Sequence, residues 1–288
     1  MPANIECLAR VGAILGEGPS WSVRDQHLLW VDINTPRLFS WSEAEGAAIH
    51  PTSEAICSIV PRASGGYIGA GHNGLLAFDA SFAITPLFNP EAHLLTNRFN
   101  DGKVDRAGRF WAGTMDHAEK ADSGSLYRID ADLRCTTIDT GYRVTNGPAF
   151  SVDGYTMYHS DTARQTVFAF TLDADGNARE RRVFLQFTHE DGYPDGMTVD
   201  AEDCLWIAYW DGWCVRRFSP EGALLAEIPV PIQKPTSVAF GGADMDRIFI
   251  SSASRDLTPD ELANQPDAGG LHCLAPDVSG IAELPFAG

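Results

Sequence analysis

Two carboxylates and two side-chain amides are the residues of this chain best suited to chemistry: Glu17, Asn100, Asn146 and Asp195. Brought together, they form a hard oxygen set with no thiolate and no imidazole. Such a set suits one divalent cation: Ca²⁺, Mg²⁺, Mn²⁺ or Fe²⁺, with Zn²⁺ tolerated. Without a cation, the crowded oxygens would repel and one carboxyl would be forced to keep a proton. Asn and Asp before Gly are also common turn formers, so no one of them alone identifies a site. Glu17 is not a turn residue, and all four occupy one register, which favours a site over coincidence. Asp195 is the candidate to orient and activate a water.

These residues are brought together by a repeat. Glu17-Gly-Pro-Ser-Trp21-Ser22 leads to Leu29-Trp30, and Asn100-Asp-Gly-Lys-Val104-Asp105 leads to Phe110-Trp111. Asn146-Gly-Pro-Ala-Phe150-Ser151 leads to Met157-Tyr158, and Asp195-Gly-Met-Thr-Val199-Asp200 leads to Leu205-Trp206. Weaker copies begin at Ile56 and Thr236, so the lead positions step by 39, 44, 46, 49 and 41 residues. Short alternating runs with Gly and Asp turns at that period predict an all-β fold, a six-bladed β-propeller of four-stranded blades. Lead residues just ahead of each inner strand then form a ring at one channel mouth: Glu, Ile, Asn, Asn, Asp, Thr.

The fourth unit parses as strands over Gly147–Ser151, Tyr155–Ser160, Thr166–Leu172 and Arg181–Leu185, with a tight Asp153-Gly154 turn. The one helical signal is about two turns near Thr258–Asn264. Ile5–Val11 and Ile281–Phe286 read as strands outside complete units, and pairing them in the last blade would close the ring. The repeats run nearly end to end without a linker, so residues 1–288 are read as one domain.

Other residues have weaker claims. Arg98, two before Asn100, could bind an anionic or hydroxyl-rich substrate, or form a surface ion pair. The polar segment Asp116–Asp122 is a solvated loop or a lid. Asp161 supports the channel or ends a strand, and His159 reads as a satisfied interior histidine. Trp210 and Trp213, flanking Asp211-Gly212, read as packing rather than a sugar platform. No nucleophile elbow, phosphate loop or dinucleotide fingerprint is present.

Bulk properties exclude some partners. Asp and Glu number 39 against 21 Lys and Arg, a net charge of −18, which argues against nucleic acid. None of the six cysteines forms a Cys-x-x-Cys pair, and Cys204 and Cys273 fall in apolar strand patterns, where buried reduced thiols are expected. The first residues lack a secretory pattern, and no apolar run approaches the ~20 residues of a membrane span. A cytoplasmic protein with no membrane partner, plausibly a monomer, is expected.

Leu15-Gly-Glu-Gly-Pro19, Asn97-Arg-Phe-Asn-Asp-Gly-Lys-Val-Asp105, Ala112-Gly-Thr-Met115, Thr145-Asn-Gly147 and Pro194-Asp-Gly196 together resemble the regucalcin/gluconolactonase family. That family has six-bladed propellers that hydrolyse sugar lactones with one divalent metal at the channel mouth. The resemblance implies Glu17, Asn146 and Asp195 as metal ligands, and Arg98 and Asn100 as substrate- or water-binding groups. It looks nearest to bacterial xylonolactonases or arabinolactonases, which implies a pentonolactone as substrate. The chain departs from the animal proteins after Thr114-Met115, where Glu119 is the candidate for the family's substrate-contacting acid. The alternatives are a non-catalytic calcium- or protein-binding propeller, and a metal-dependent hydrolase of another ester, such as an organophosphate.

Overall fold

In the computed structural model, which describes residues 5–288, the six phrases become six four-stranded antiparallel sheets arranged as blades. The innermost strands are Gly16–Ser22, Ile56–Pro61, Asn97–Val104, Thr145–Phe150, Tyr193–Val199 and Pro235–Gly241. Each begins at or before its lead residue. Five of the six leads therefore lie within the inner strand rather than just ahead of it, as the sequence had suggested, and Ile56 is its first residue.

Burial falls from the channel outward. In blade one, Gly16–Ser22 is buried throughout, whereas the outermost strand Gly46–Pro51 is almost wholly exposed. The apolar core lies between neighbouring sheets. Trp111, Leu126 and Tyr142 of blade three pack against Phe150, Met157 and Phe170 of blade four. Trp206, Ala208 and Val215 of blade five meet Val238, Phe240 and Ile248 of blade six in the same way. Each interface is thus a sheet-on-sheet core, stabilised by roughly 25 cal/mol per Å² of apolar surface removed from water. The Asp that ends two of the phrases ties its hairpin to this core. Asp105 and Asp200 each accept a bond from an indole N–H, Trp111 and Trp206 respectively, both at 2.8 Å.

The ring closes through the N-terminal strand. Glu6–Ala9 pairs antiparallel with Leu271–Leu274 and supplies the outer strand of the sixth blade. The C-terminal segment Ile281–Phe286 does not join that blade, contrary to the sequence expectation. The sixth sheet already holds four strands, so the tail crosses beneath the ring, with Ala201 donating to Ser279 O at 2.9 Å and Phe286 to Pro61 O at 2.8 Å. Phe286 is fully buried in the core of blades one to three, an apolar gain the filled edge could not offer. Helix Pro259–Asn264 forms as expected, with Thr258 and Glu261 making a reciprocal capping box.

Candidate active site

Every blade carries a β-bulge at the lead position. The pairing of the innermost and second strands shifts between Glu17 and Ser20, Ile56 and Ser58, and Phe99 and Gly102. It shifts again between Asn146 and Ala149, Pro194 and Met197, and Pro235 and Ser237. A bulge inserts an unpaired residue and turns its side chain out of the regular alternation. Six bulges in one register give the ring seen in the sequence. The Gly that follows the lead has a steric role at Gly196, where a Cβ would stand 2.0 Å from the Ser237 hydroxyl of blade six.

Glu17, Arg98, Asn100, Glu119, Asn146 and Asp195 all line one cavity of about 470 Å³. The two remaining leads serve the scaffold. Ile56 is buried in the apolar core, and Thr236 bonds Gly16 O and Ser251, joining blade six to blade one.

A chain of hydrogen bonds fixes the polar side chains. Arg98 donates to Phe99 O at 2.8 Å and to Asn100 Oδ1 at 2.7 Å. Asn100 Nδ2 donates to Thr145 O at 2.7 Å and to Asn146 Oδ1 at 2.8 Å. Asn146 Nδ2 donates to Thr162 Oγ1 at 2.8 Å, and Thr162 donates to Pro194 O at 2.7 Å, reaching the residue before Asp195. The amide of Asn146 is thereby oriented: its nitrogen faces Thr162 and its oxygen faces Asn100.

The electrostatics are those of an acidic set removed from water. Burial first, then the neighbouring charge of Asp101, pushes Glu17 up to about 8. Burial, then Glu17 and Asp101, raises Asp195 well above the usual carboxylate range. Asp101 rises to about 6 through burial, although Lys103 and the N–H groups of Gly102 and Gly147 favour its charged form. A cation would supply a counter-charge, and the residues present fit one. Asp195 Oδ1 is buried with no hydrogen-bond partner among the described residues, and Glu17 accepts a bond only from Gly18 N, at 3.0 Å. Two carboxylates with unused oxygens beside an amide oxygen make a hard donor set.

Several residues in or beside the cavity were not singled out in the sequence. Asp101, next to Asn100, accepts the Gly147 N–H at 2.9 Å and locks blade three to blade four. Arg143 and Lys234 reach the cavity wall from connections between blades, Arg255 from a loop of blade six, and Tyr193 from the start of blade five's inner strand. Lys234 lies 4.3 Å from the centroid of Trp210 and 3.3 Å from Asp211. Trp210 therefore lines the cavity, whereas Trp213 is largely exposed and does not. Of the 116–122 segment only Glu119 lines the cavity, with Arg255 at 3.2 Å. Asp161 is fully buried and accepts from Arg143 N at 3.1 Å, anchoring the approach to blade four's inner strand. His159 is interior as expected but not satisfied: neither ring nitrogen has a partner among the described residues, and burial holds its pKa at about 3.

Comparison with known proteins identifies the family and agrees with the fold. Residues 15–254 match the family profile described as SMP-30/Gluconolactonase/LRE-like region. The chain is 37% identical to a 6-deoxy-6-sulfogluconolactonase of Pseudomonas putida, with all of both chains covered. It is 34% identical to regucalcin of Xenopus laevis, with 99% of each covered. Among solved structures, a calcium-binding regucalcin from Agrobacterium tumefaciens superimposes with a TM-score of 0.94 at 28% identity, covering 99% of this chain and 98% of that one. A gluconolactonase from Xanthomonas campestris gives 0.79 at 25% identity, over 95% and 89%. The chain belongs to the SMP-30/gluconolactonase/LRE-like family.

Proposed function

We propose that this protein is a metal-dependent lactonase that opens a sugar lactone, a pentonolactone in the first reading, to its aldonic acid. The observation that carries the reading is the unpartnered, buried Asp195 Oδ1 beside Glu17 in a cavity sized for a monosaccharide. Glu17, Asn146 and Asp195 would hold the cation. When bound, it would polarise the ester carbonyl and stabilise the charge that develops on its oxygen.

The chain's own residues do the rest. Arg98 and Asn100, fixed by the bonds above, hold substrate hydroxyls and set the carbonyl's orientation. Asp195 directs water at the carbonyl carbon. Ligation to a cation lowers a carboxylate's basicity, so positioning outweighs proton abstraction in its role. Water adds to the carbonyl carbon, the ring C–O bond breaks, and the departing oxygen takes a proton. Glu119, paired with Arg255 at the cavity wall, contacts the far side of the sugar.

A second reading concerns the sugar. Four cationic side chains, Arg98, Arg143, Lys234 and Arg255, line the cavity of a chain whose net charge is −18. That placement favours a six-carbon lactone with an anionic group at C6, the kind of substrate for which the Pseudomonas putida relative is named. The protein is proposed to act in the cytoplasm, to which six unpaired cysteines are suited.

The test is a proton-release assay over C5, C6 and C6-sulfonated lactones and a phosphotriester, before and after chelation. Lactone turnover that vanishes on chelation and returns with a divalent cation supports the reading. Turnover indifferent to chelation, or confined to the phosphotriester, contradicts it.

A further inference from the structure

A second cluster of metal-ligating groups sits at the seam where the ring closes, remote from the cavity. Cys7 belongs to the N-terminal strand and His272 to the last strand, and the two are direct cross-strand partners. Directly opposed residues of an antiparallel pair project to the same face. Asp267, from the segment between the short helix and that strand, completes the group: one ligand atom from each residue lies within 4.8 Å of the others. The independent sign of a ligand is His272. Its side chain is fully buried, and neither ring nitrogen has a hydrogen-bond partner among the described residues. A buried imidazole with two unused nitrogens costs free energy unless something occupies the space before it. Arg10 holds Asp267 through Oδ1 but reaches Oδ2 only at 3.4 Å, leaving that oxygen available.

We propose that Cys7, His272 and Asp267 bind one borderline-soft cation, Zn²⁺ by chemistry, with water as fourth ligand, and that it clamps the closure of the propeller. Thiolate, imidazole and carboxylate are the ligands zinc selects, whereas calcium and magnesium avoid sulfur. Tetrahedral zinc with bonds of about 2.0–2.3 Å needs ligand atoms about 3.3–3.8 Å apart, so the cluster would have to contract by roughly 1 Å. The clamp falls on a short strand pair. The closing strand, Glu6–Ala9, is held by three register pairs with an irregularity between Cys7 and Ala9. Cation binding releases the thiol proton and ties the first strand to the last.

The test uses the full chain with excess Ca²⁺, titrated with Co²⁺ as a spectroscopic substitute and then with Zn²⁺. One equivalent of Co²⁺ should produce a thiolate-to-cobalt charge-transfer band that Zn²⁺ abolishes, and Zn²⁺ should raise the Tm. Cys7→Ser should remove the band and weaken Zn²⁺ binding at least tenfold, roughly the lower bound for losing even an outer-shell partner. Lactone hydrolysis should be unchanged. Should that variant misfold, alkylation of the wild-type protein still decides: Zn²⁺ should protect Cys7 while leaving the comparably exposed Cys135 reactive. A band that persists in Cys7→Ser, the absence of any band, or alkylation of Cys7 at the same rate with and without Zn²⁺ would overturn the proposal.

Discussion

Stripping divalent cations and raising the pH from 6.5 to 8 should destabilise this protein, and the structure sets the size of the effect. Glu17 moves from an ordinary value of 4.5 to about 8 on folding, because burial and Asp101 disfavour its charge. A carboxyl raised in this way binds its proton more tightly in the folded state than in the unfolded one. Stability is therefore greatest at low pH and falls as pH rises through the window between the two values. Below 6.5 a second set of groups acts in the opposite direction. Burial lowers His72 and His272 to about 4 and His159 to about 3, so these rings favour unfolding as the pH drops below their ordinary value of 6.5. Between 6.5 and 8 the histidine effect fades but still opposes the carboxyls, by about 0.4 kcal/mol at pH 6.5 for each strongly lowered ring and almost nothing at 8, so the Glu17 contribution is read as the difference in slope between the wild type and Glu17→Gln, in which the histidines cancel. At about 1.4 kcal/mol per pH unit for one proton, Glu17 contributes roughly 2 kcal/mol of lost stability across that interval. Asp195, raised for the same reasons, adds to it. For a domain of this size, ~2 kcal/mol corresponds to a fall in Tm of about 3 °C. Thermal unfolding of chelated protein at pH 6.5, 7.2 and 8 measures it directly. Glu17→Gln should flatten the slope, and saturating divalent cation should remove it in the wild type. A Glu17→Gln slope equal to the wild type would refute the reasoning.

Asp195→Asn should lower lactone kcat by about 10²–10³-fold with the circular dichroism spectrum unchanged; near-native turnover would remove Asp195 from the mechanism. Arg98→Lys keeps the charge but loses the planar guanidinium whose Nη1 donates to both Phe99 O and Asn100 Oδ1, so kcat/KM should fall at least about tenfold. A value within twofold of wild type would confine Arg98 to a structural part. Gly196→Ala places a Cβ against Ser237 and should cost about 1–3 kcal/mol of stability, with weaker binding of the channel cation, read by chemical denaturation and calorimetry. Divalent-cation affinity at the channel should itself rise between pH 6 and 8, as protons cease to compete for Glu17.

The ring was legible because its members recur in register. One phrase placed Glu17, Asn100, Asn146 and Asp195 around an axis before any coordinates, and the structure lines one cavity with all four. The physical cause, a bulge at each lead position, was not legible, since a single unpaired residue leaves no mark in an alternating pattern. Arg143 and Lys234 were missed because they come from connections between blades, and Arg255 because it comes from a long loop within blade six; all three lie outside the repeated phrase. The tail was misread for a related reason: Ile281–Phe286 alternates like a strand, and an apolar residue such as Phe286 does not announce which core it will enter. Trp210 was assigned to packing from its place beside the Asp211-Gly212 turn, whereas it lines the cavity with Lys234, from the connection to the next blade, over its ring.

The most direct test of the account is diffraction from crystals grown with Mn²⁺, recorded at the manganese absorption edge. The account places one strong anomalous peak between a Glu17 carboxylate oxygen, Asn146 Oδ1 and an Asp195 carboxylate oxygen, at bonding distances of about 2.0–2.6 Å. No peak among these three side chains at saturating Mn²⁺, or a peak held by other residues of the cavity, would contradict it.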